Sequence, residues 1–287
     1  MCRRGTVAAP TLPPFGYPMD NPIPPRPSSS PAAGFDRNVT TAPPPRGQAT
    51  VSPANGTAWW QQGWRLFAAA PGMWIAITVL FAVIMIMLAF VPVLGTLATT
   101  LLAPVLTGGV LSGFRAVDRG DGLTINHLFA SFSDRLAPLI IVGLLYLAGS
   151  FVIMVAVLAI LVTAIGMSGI GALLSGDPLQ AGFALLATFG IGAMFAMLLG
   201  LLLGIPLTMA YWYAPALVVF RSAEPWAAMK ASFNACLANV MPMLIYSLLG
   251  LVFAIVASIP FGLGWFVLLP VFAGSVYASY KNIFEAA

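Results

Sequence analysis

The sequence predicts an all-α integral membrane helical bundle of about six transmembrane helices, arranged as three parallel hairpin repeats, each preceded by a cytoplasmic interfacial helix. Three observations carry this. Of the 287 residues, 60% are hydrophobic and only 7% charged, against roughly 25% charged in an ordinary soluble domain. Charge-free apolar runs of span length recur from residue 75 onward. All twelve Lys and Arg residues fall outside those runs. So few charges cannot cover a water-facing surface, so most of the exterior needs hydrocarbon as its solvent.

Residues 1–56 are read as a disordered, Pro-rich cytoplasmic tail, and 57–287 as a six-span transmembrane domain. The tail interleaves prolines with Ser, Ala, Thr and Gly and shows no apolar periodicity, so it cannot bury enough surface to offset its ordering entropy. Pro24–Pro31 has the form of an SH3- or WW-type ligand, although a spacer is the plainer reading. Arg3 and Arg4 precede prolines instead of an apolar stretch, which speaks against a cleaved signal. Met19, before Asp20-Asn21-Pro22, is a credible alternative start to Met1.

The first span covers 75–94, with thirteen Ile, Leu, Val or Phe. At roughly −0.4 kcal/mol each on the insertion scale this is about −5 kcal/mol, enough to insert alone. Further spans are expected at 96–114, 138–164, 182–209, 241–259 and 262–280. Residues 181–220 are ambiguous: with Pro206 and Pro215 inside, they fit one kinked helix, two short ones, or a helix with a re-entrant turn. The loops near 92–95, 165–181 and 259–262 hold no Lys or Arg. The positive-inside rule therefore puts both termini and the longer loops in the cytoplasm.

Three segments before the odd spans share a design. Residues 58–70 set Trp60, Trp64 and Phe67 against Gln61 and Arg65. Residues 124–136 set Ile125, Leu128, Phe132 and Leu136 against Asn126, Ser131, Asp134 and Arg135. Residues 225–239 set Trp226, Met229, Phe233 and Leu237 against Lys230 and Asn234. Each is expected to lie flat in the headgroup layer. The even spans end alike, at Phe114-Arg115, Phe220-Arg221 and Tyr280-Lys281. Together these suggest three repeats of an interfacial helix plus a hairpin.

No Asp, Glu, Lys, Arg or His lies inside an expected span, which argues against proton-driven transport and charged filters. No nucleophile, acid–base pair, zinc motif or phosphate loop stands out, so no catalytic, cofactor-binding or metal residue is assigned and the chain is not read as an enzyme. His127 reads as a solvated side chain. Cys2 and Cys236 lack ligand-like neighbours. The small excess of basic residues reads as topology, so no nucleic-acid partner is expected.

The candidate cavity or packing residues are Pro206, Tyr211, Trp212, Tyr213, Pro215, Gly192, Gly200 and Gly204. In the string Tyr211–Val218 the aromatics read first as belt anchors. The alternative is a helix opened at Pro215, whose freed carbonyls line a small polar cavity. Small residues at every fourth position (Ala184, Thr188, Gly192, Ala196, Gly200, Gly204) allow close backbone approach, first of all within the chain. A homo-oligomer interface or a lipid-lined groove is the other use of such a face. That string, with Gly63–Phe67, Leu128-Phe129 and Ser232–Cys236, resembles uncharacterised six-span bacterial inner-membrane proteins over about residues 58–284. The resemblance implies topology and a bacterial inner-membrane location, and no activity. The expected function is that of a non-enzymatic membrane component, with membrane lipids, a second copy or another membrane protein as partners. The alternative is a permease or export accessory for a neutral or amphipathic solute.

Overall fold

A computed structural model describes residues 48–92 and 94–285; most of the expected tail, residues 1–47, lies outside the described residues. What is described is helical, with no strand. In chain order the helices are α1 (Asn55–Ala68), α2 (Pro71–Ala89), α3 (Leu94–Arg119), a 3-10 turn (Ile125–Phe129) leading into α4 (Ala130–Asp134), α5 (Leu136–Ser175), α6 (Pro178–Trp212), α7 (Ala214–Arg221), α8 (Pro225–Ala238), α9 (Val240–Ser258) and α10 (Trp265–Tyr280). A π turn, Lys281–Glu285, follows α10.

Five stretches are long and apolar enough to cross a bilayer: Pro71–Ala89, Leu94–Arg119, Leu136–Gly171, Pro178–Arg221 and Val240–Ser258. The sixth expected span is the 16-residue α10, about 24 Å of helix against roughly 30 Å of hydrocarbon. The loop expected over 165–181 is instead helical except at 176–177. Its turn has local causes. Gly176 takes the left-handed conformation at φ 63°, Asp177 accepts the Leu179 N–H at 2.9 Å, and Pro178 opens α6 where a missing N–H costs nothing. With 40 residues α5 is about 60 Å long, twice the hydrocarbon thickness.

On the short segments only some of the residues that the sequence groups on one apolar face are buried. On α8 the buried residues are Ala228, Met229, Ser232, Ala235 and Cys236, while Trp226 and Leu237 are exposed. On α1 they are Gly56, Trp59, Trp60, Gly63 and Phe67, and Trp64 points out. In the 124–136 segment Leu128 and Ser131 are buried, whereas Ile125 and Leu136 are exposed. The reason is the solvent. Hydrocarbon accepts bulky apolar side chains, so Trp64 and Trp226 can stay outside, while small residues such as Gly63 and Ser232 share the helix–helix contacts with buried aromatics and let backbones come close. At Gly63 an added Cβ would stand 2.5 Å from the Val271 carbonyl oxygen, and at Gly109 2.1 Å from that of Leu128.

These contacts set the arrangement. α1 packs on α10 and α9, α4 and the 3-10 turn on α3, and α8 on α6 and α7. At one end of the bundle α3, α7 and α10 meet through aromatic rings, with Phe114 and Phe220 at 6.4 and 6.0 Å from Tyr277. Trp74 stacks on Phe114 at 3.7 Å from the α2 side.

Candidate functional site

Helix α6 bends into α7 at Tyr213, so residues 181–220 form one kinked helix. Pro215 has no N–H, and its ring clashes with the carbonyl four residues back, which forces the bend. The 209–213 hydrogen bond is opened and filled from outside. Ser232 Oγ on α8 donates to the Met209 carbonyl at 2.6 Å and accepts the Tyr213 N–H at 2.8 Å. Ser232 thus serves the Met209 carbonyl, while the carbonyl that Pro215 itself leaves without a helical donor, that of Tyr211, accepts the Tyr213 N–H. Tyr213 is buried, not a belt anchor, and its hydroxyl donates to Ser279 Oγ at 3.0 Å.

The other candidate residues scatter. Trp212 packs edge-on against Tyr246 and Phe272, at 6.2 and 5.9 Å, and Tyr211 packs on Tyr146 at 4.7 Å. Pro206 is exposed inside α6. Gly192 is buried against Ala164 of α5, and Gly200 faces Val157, so the stripe serves packing of α5 on α6 there; among the described residues nothing stands within 4 Å of a Cβ at Gly204. None of these residues lines either of the two grooves described next.

The larger groove, about 880 Å3, lies between α1, α9 and α10. Phe253, Val256, Val267 and Leu268 contribute apolar walls, and α1 contributes Trp60, Gln61 and Arg65 along one side. Its form follows from Trp60. That indole stacks on Tyr246 at 5.0 Å, meets Phe253 edge-on at 5.0 Å, and donates to the Tyr246 carbonyl at 3.0 Å. Gly250 makes room for it. The aromatic anchor docks α1 onto α9 and leaves Gln61 and Arg65 at the rim. The smaller groove, about 220 Å3, lies between α2, α3 and α10 beside Trp74 and Pro270.

Two residues that sequence reasoning passed over organise the bundle end. One is Ser232, quoted only within the Ser232–Cys236 string that carries the resemblance. The other is Asn239, buried between α8 and α9. Its side chain accepts the Val51 N–H at 2.8 Å and donates to the Ala49 and Ala235 carbonyls at 3.1 and 2.9 Å. Ala49 also donates to the Ile283 carbonyl at 2.9 Å. Residues 49–51, assigned to the tail, are thus tied to the helical domain. A buried Asn between two helices was the available signal.

Basic residues of three segments gather at the same end. Arg115 pairs with Glu285 and lies 3.6 Å over the Phe220 ring. Arg221 reaches the Phe284 carbonyl and ring. Lys281 pairs with Asp118 at 2.6 Å. No group of three or more His, Cys, Asp or Glu that could hold a metal ion occurs among the described residues. Burial pushes the Cys236 thiol up to about 12, which leaves it protonated and unreactive at neutral pH.

No protein-family model matches the chain, and no solved structure matches it. Over 236 residues the chain is 28% identical to a probable inner membrane protein of Burkholderia thailandensis, an alignment covering 79% of this chain and 82% of that protein. A relative of that description agrees with the resemblance to uncharacterised bacterial inner-membrane proteins carried by Gly63–Phe67 and Tyr211–Val218.

Proposed function

We propose that the chain is a multi-pass component of the bacterial inner membrane that performs no catalysis and works by binding lipid. The groove between α1, α9 and α10 carries this reading, because its walls are apolar and one amphipathic helix edges it with polar groups. The opposite arrangement, a polar path through the bundle, is what a permease would need; α3, α7 and α10 instead meet ring to ring at Phe114, Phe220 and Tyr277. Native mass spectrometry of the full chain extracted from its own membrane tests the proposal. Stoichiometric co-purifying lipid is the expected result, and a lipid-free protein would overturn it.

The architecture in this reading is six spans, with α10 and its π turn as the sixth, both termini cytoplasmic, and three units of a short helix plus a hairpin. A cyclic relation supports the three units. Each short helix packs on the second span of the unit before it: Gly63 on Ser275, Ser131 beside Gly108, Ser232 on Met209. The basic ends follow a cycle too, from Arg115 to Phe220, from Arg221 to Phe284, and from Lys281 to Asp118. An experimental structure in a lipid nanodisc with any short helix packed on its own unit's second span would reject the repeat.

A further inference from the structure

We propose that the groove between α1, α9 and α10 binds one anionic phospholipid, with the phosphate at Arg65 and an acyl chain along α9 and α10. This rests on the lipid-binding reading and adds the site and the lipid class. Among the described residues, Arg65 is the only charged one lining the groove. It is exposed at the rim and makes no salt bridge among the described residues. Basic groups at the aromatic end of the bundle are already engaged: Arg115 with Glu285, Lys281 with Asp118, and Arg221 with the Phe284 carbonyl. Gln61, one helical turn from Arg65 on α1, lines the same groove, and its amide N–H groups are donors suited to phosphate oxygens.

The order of chemistry along the groove matches an amphiphile. Arg65 and Gln61 put a guanidinium and an amide on the α1 side, and Phe253, Val256, Val267 and Leu268 continue the groove as hydrocarbon. Its volume, about 880 Å3, is within the usual range of about 300–1,000 Å3 for small-molecule sites. Selectivity in such a site has one source. A lipid tail leaves hydrocarbon to enter hydrocarbon, so the tail contributes packing and no hydrophobic transfer. The headgroup must discriminate, and a lone cation on α1 favours net negative lipid over zwitterionic lipid.

The test uses the full chain in nanodiscs of equimolar phosphatidylglycerol and phosphatidylethanolamine, released into native mass spectrometry. Wild type, Arg65→Gln and Val256→Trp are compared; Val256 is exposed, so the indole fills the groove without entering the core. The wild type is expected to retain one phosphatidylglycerol in preference to phosphatidylethanolamine. Arg65→Gln should cut that preference about five-fold, as expected for one cation–headgroup contact. Val256→Trp should remove the bound lipid at an unchanged melting temperature. Equal retention of both lipids by wild type would overturn the proposal, as would a bound lipid that ignores both substitutions or a second copy covering the groove. Lipid retained but indifferent to both variants rejects this site alone, whereas a wild type that retains no lipid rejects the lipid-binding reading as well.

Discussion

Ser232 accepts the backbone N–H of Tyr213 at 2.8 Å, in the place a helical carbonyl would hold. Its own proton goes to the Met209 carbonyl that the kink released. One hydroxyl thus satisfies a donor and an acceptor buried in an apolar setting, and locks α8 to the bend between α6 and α7. Ser232→Ala should cost about 1–3 kcal/mol, the penalty for leaving buried backbone groups unpaired. A thermal melt in detergent should show the loss.

Asn239 predicts where the dispensable tail ends. Deleting residues 1–47 should leave insertion and melting temperature unchanged. Removing residues 48–54 as well takes away the chain that Asn239 holds at Ala49 and Val51 and should lower the melting temperature. Asn239→Ala in the full chain should reproduce that loss, since it also strips a bond to Ala235. Equal melting of the two truncations would contradict the clamp.

Arg115 and Glu285 form a partly exposed pair, and such pairs contribute only about 0–1 kcal/mol. Arg115 also lies over Phe220, a contact of about 0.5–1 kcal/mol at exposed sites. Arg115→Ala should therefore destabilise more than Glu285→Ala, and the difference should vanish in a Phe220→Leu background. A double-mutant cycle followed by thermal unfolding measures it.

Cys236 should resist alkylation. In a Cys2→Ser chain, maleimide should label slowly under native conditions and quickly after denaturation, because the thiol is buried and its pKa raised to about 12. Fast native labelling would show that α8 leaves α6.

Topology follows from charge. Reporter fusions after Pro92, near Asp177 and near Pro260 should read periplasmic, and fusions at Asp121, Glu224 and Ala287 cytoplasmic. A periplasmic result at Asp121 would break the six-span arrangement, since it would carry Arg115, Arg119 and Arg135 outside.

Local chemistry was enough to place most elements. The long apolar runs are helices, Gly176-Asp177-Pro178 turns the chain between α5 and α6, and Pro215 bends the helix that holds it. Each outcome depends on neighbours within a few residues, so it is legible without a fold. The expected loop over 165–181 failed for the same local reason. Its Ile, Leu and Ala residues propagate a helix as well as any span, and only Gly176 stops it.

Which face of a short helix is buried was decided by packing. Hydropathy ranks Trp226 above Ser232, yet Ser232 is buried and Trp226 exposed. Both surroundings are apolar, so transfer energy does not separate them, and steric fit and hydrogen bonds do. Ser232 is chosen by a carbonyl freed 23 residues away, and Asn239 by a backbone 188 residues away. The Arg65 groove arises likewise, from Trp60 docking on α9 across 186 residues. Residue type set what each segment could tolerate as solvent, and long-range contacts chose which side chains met.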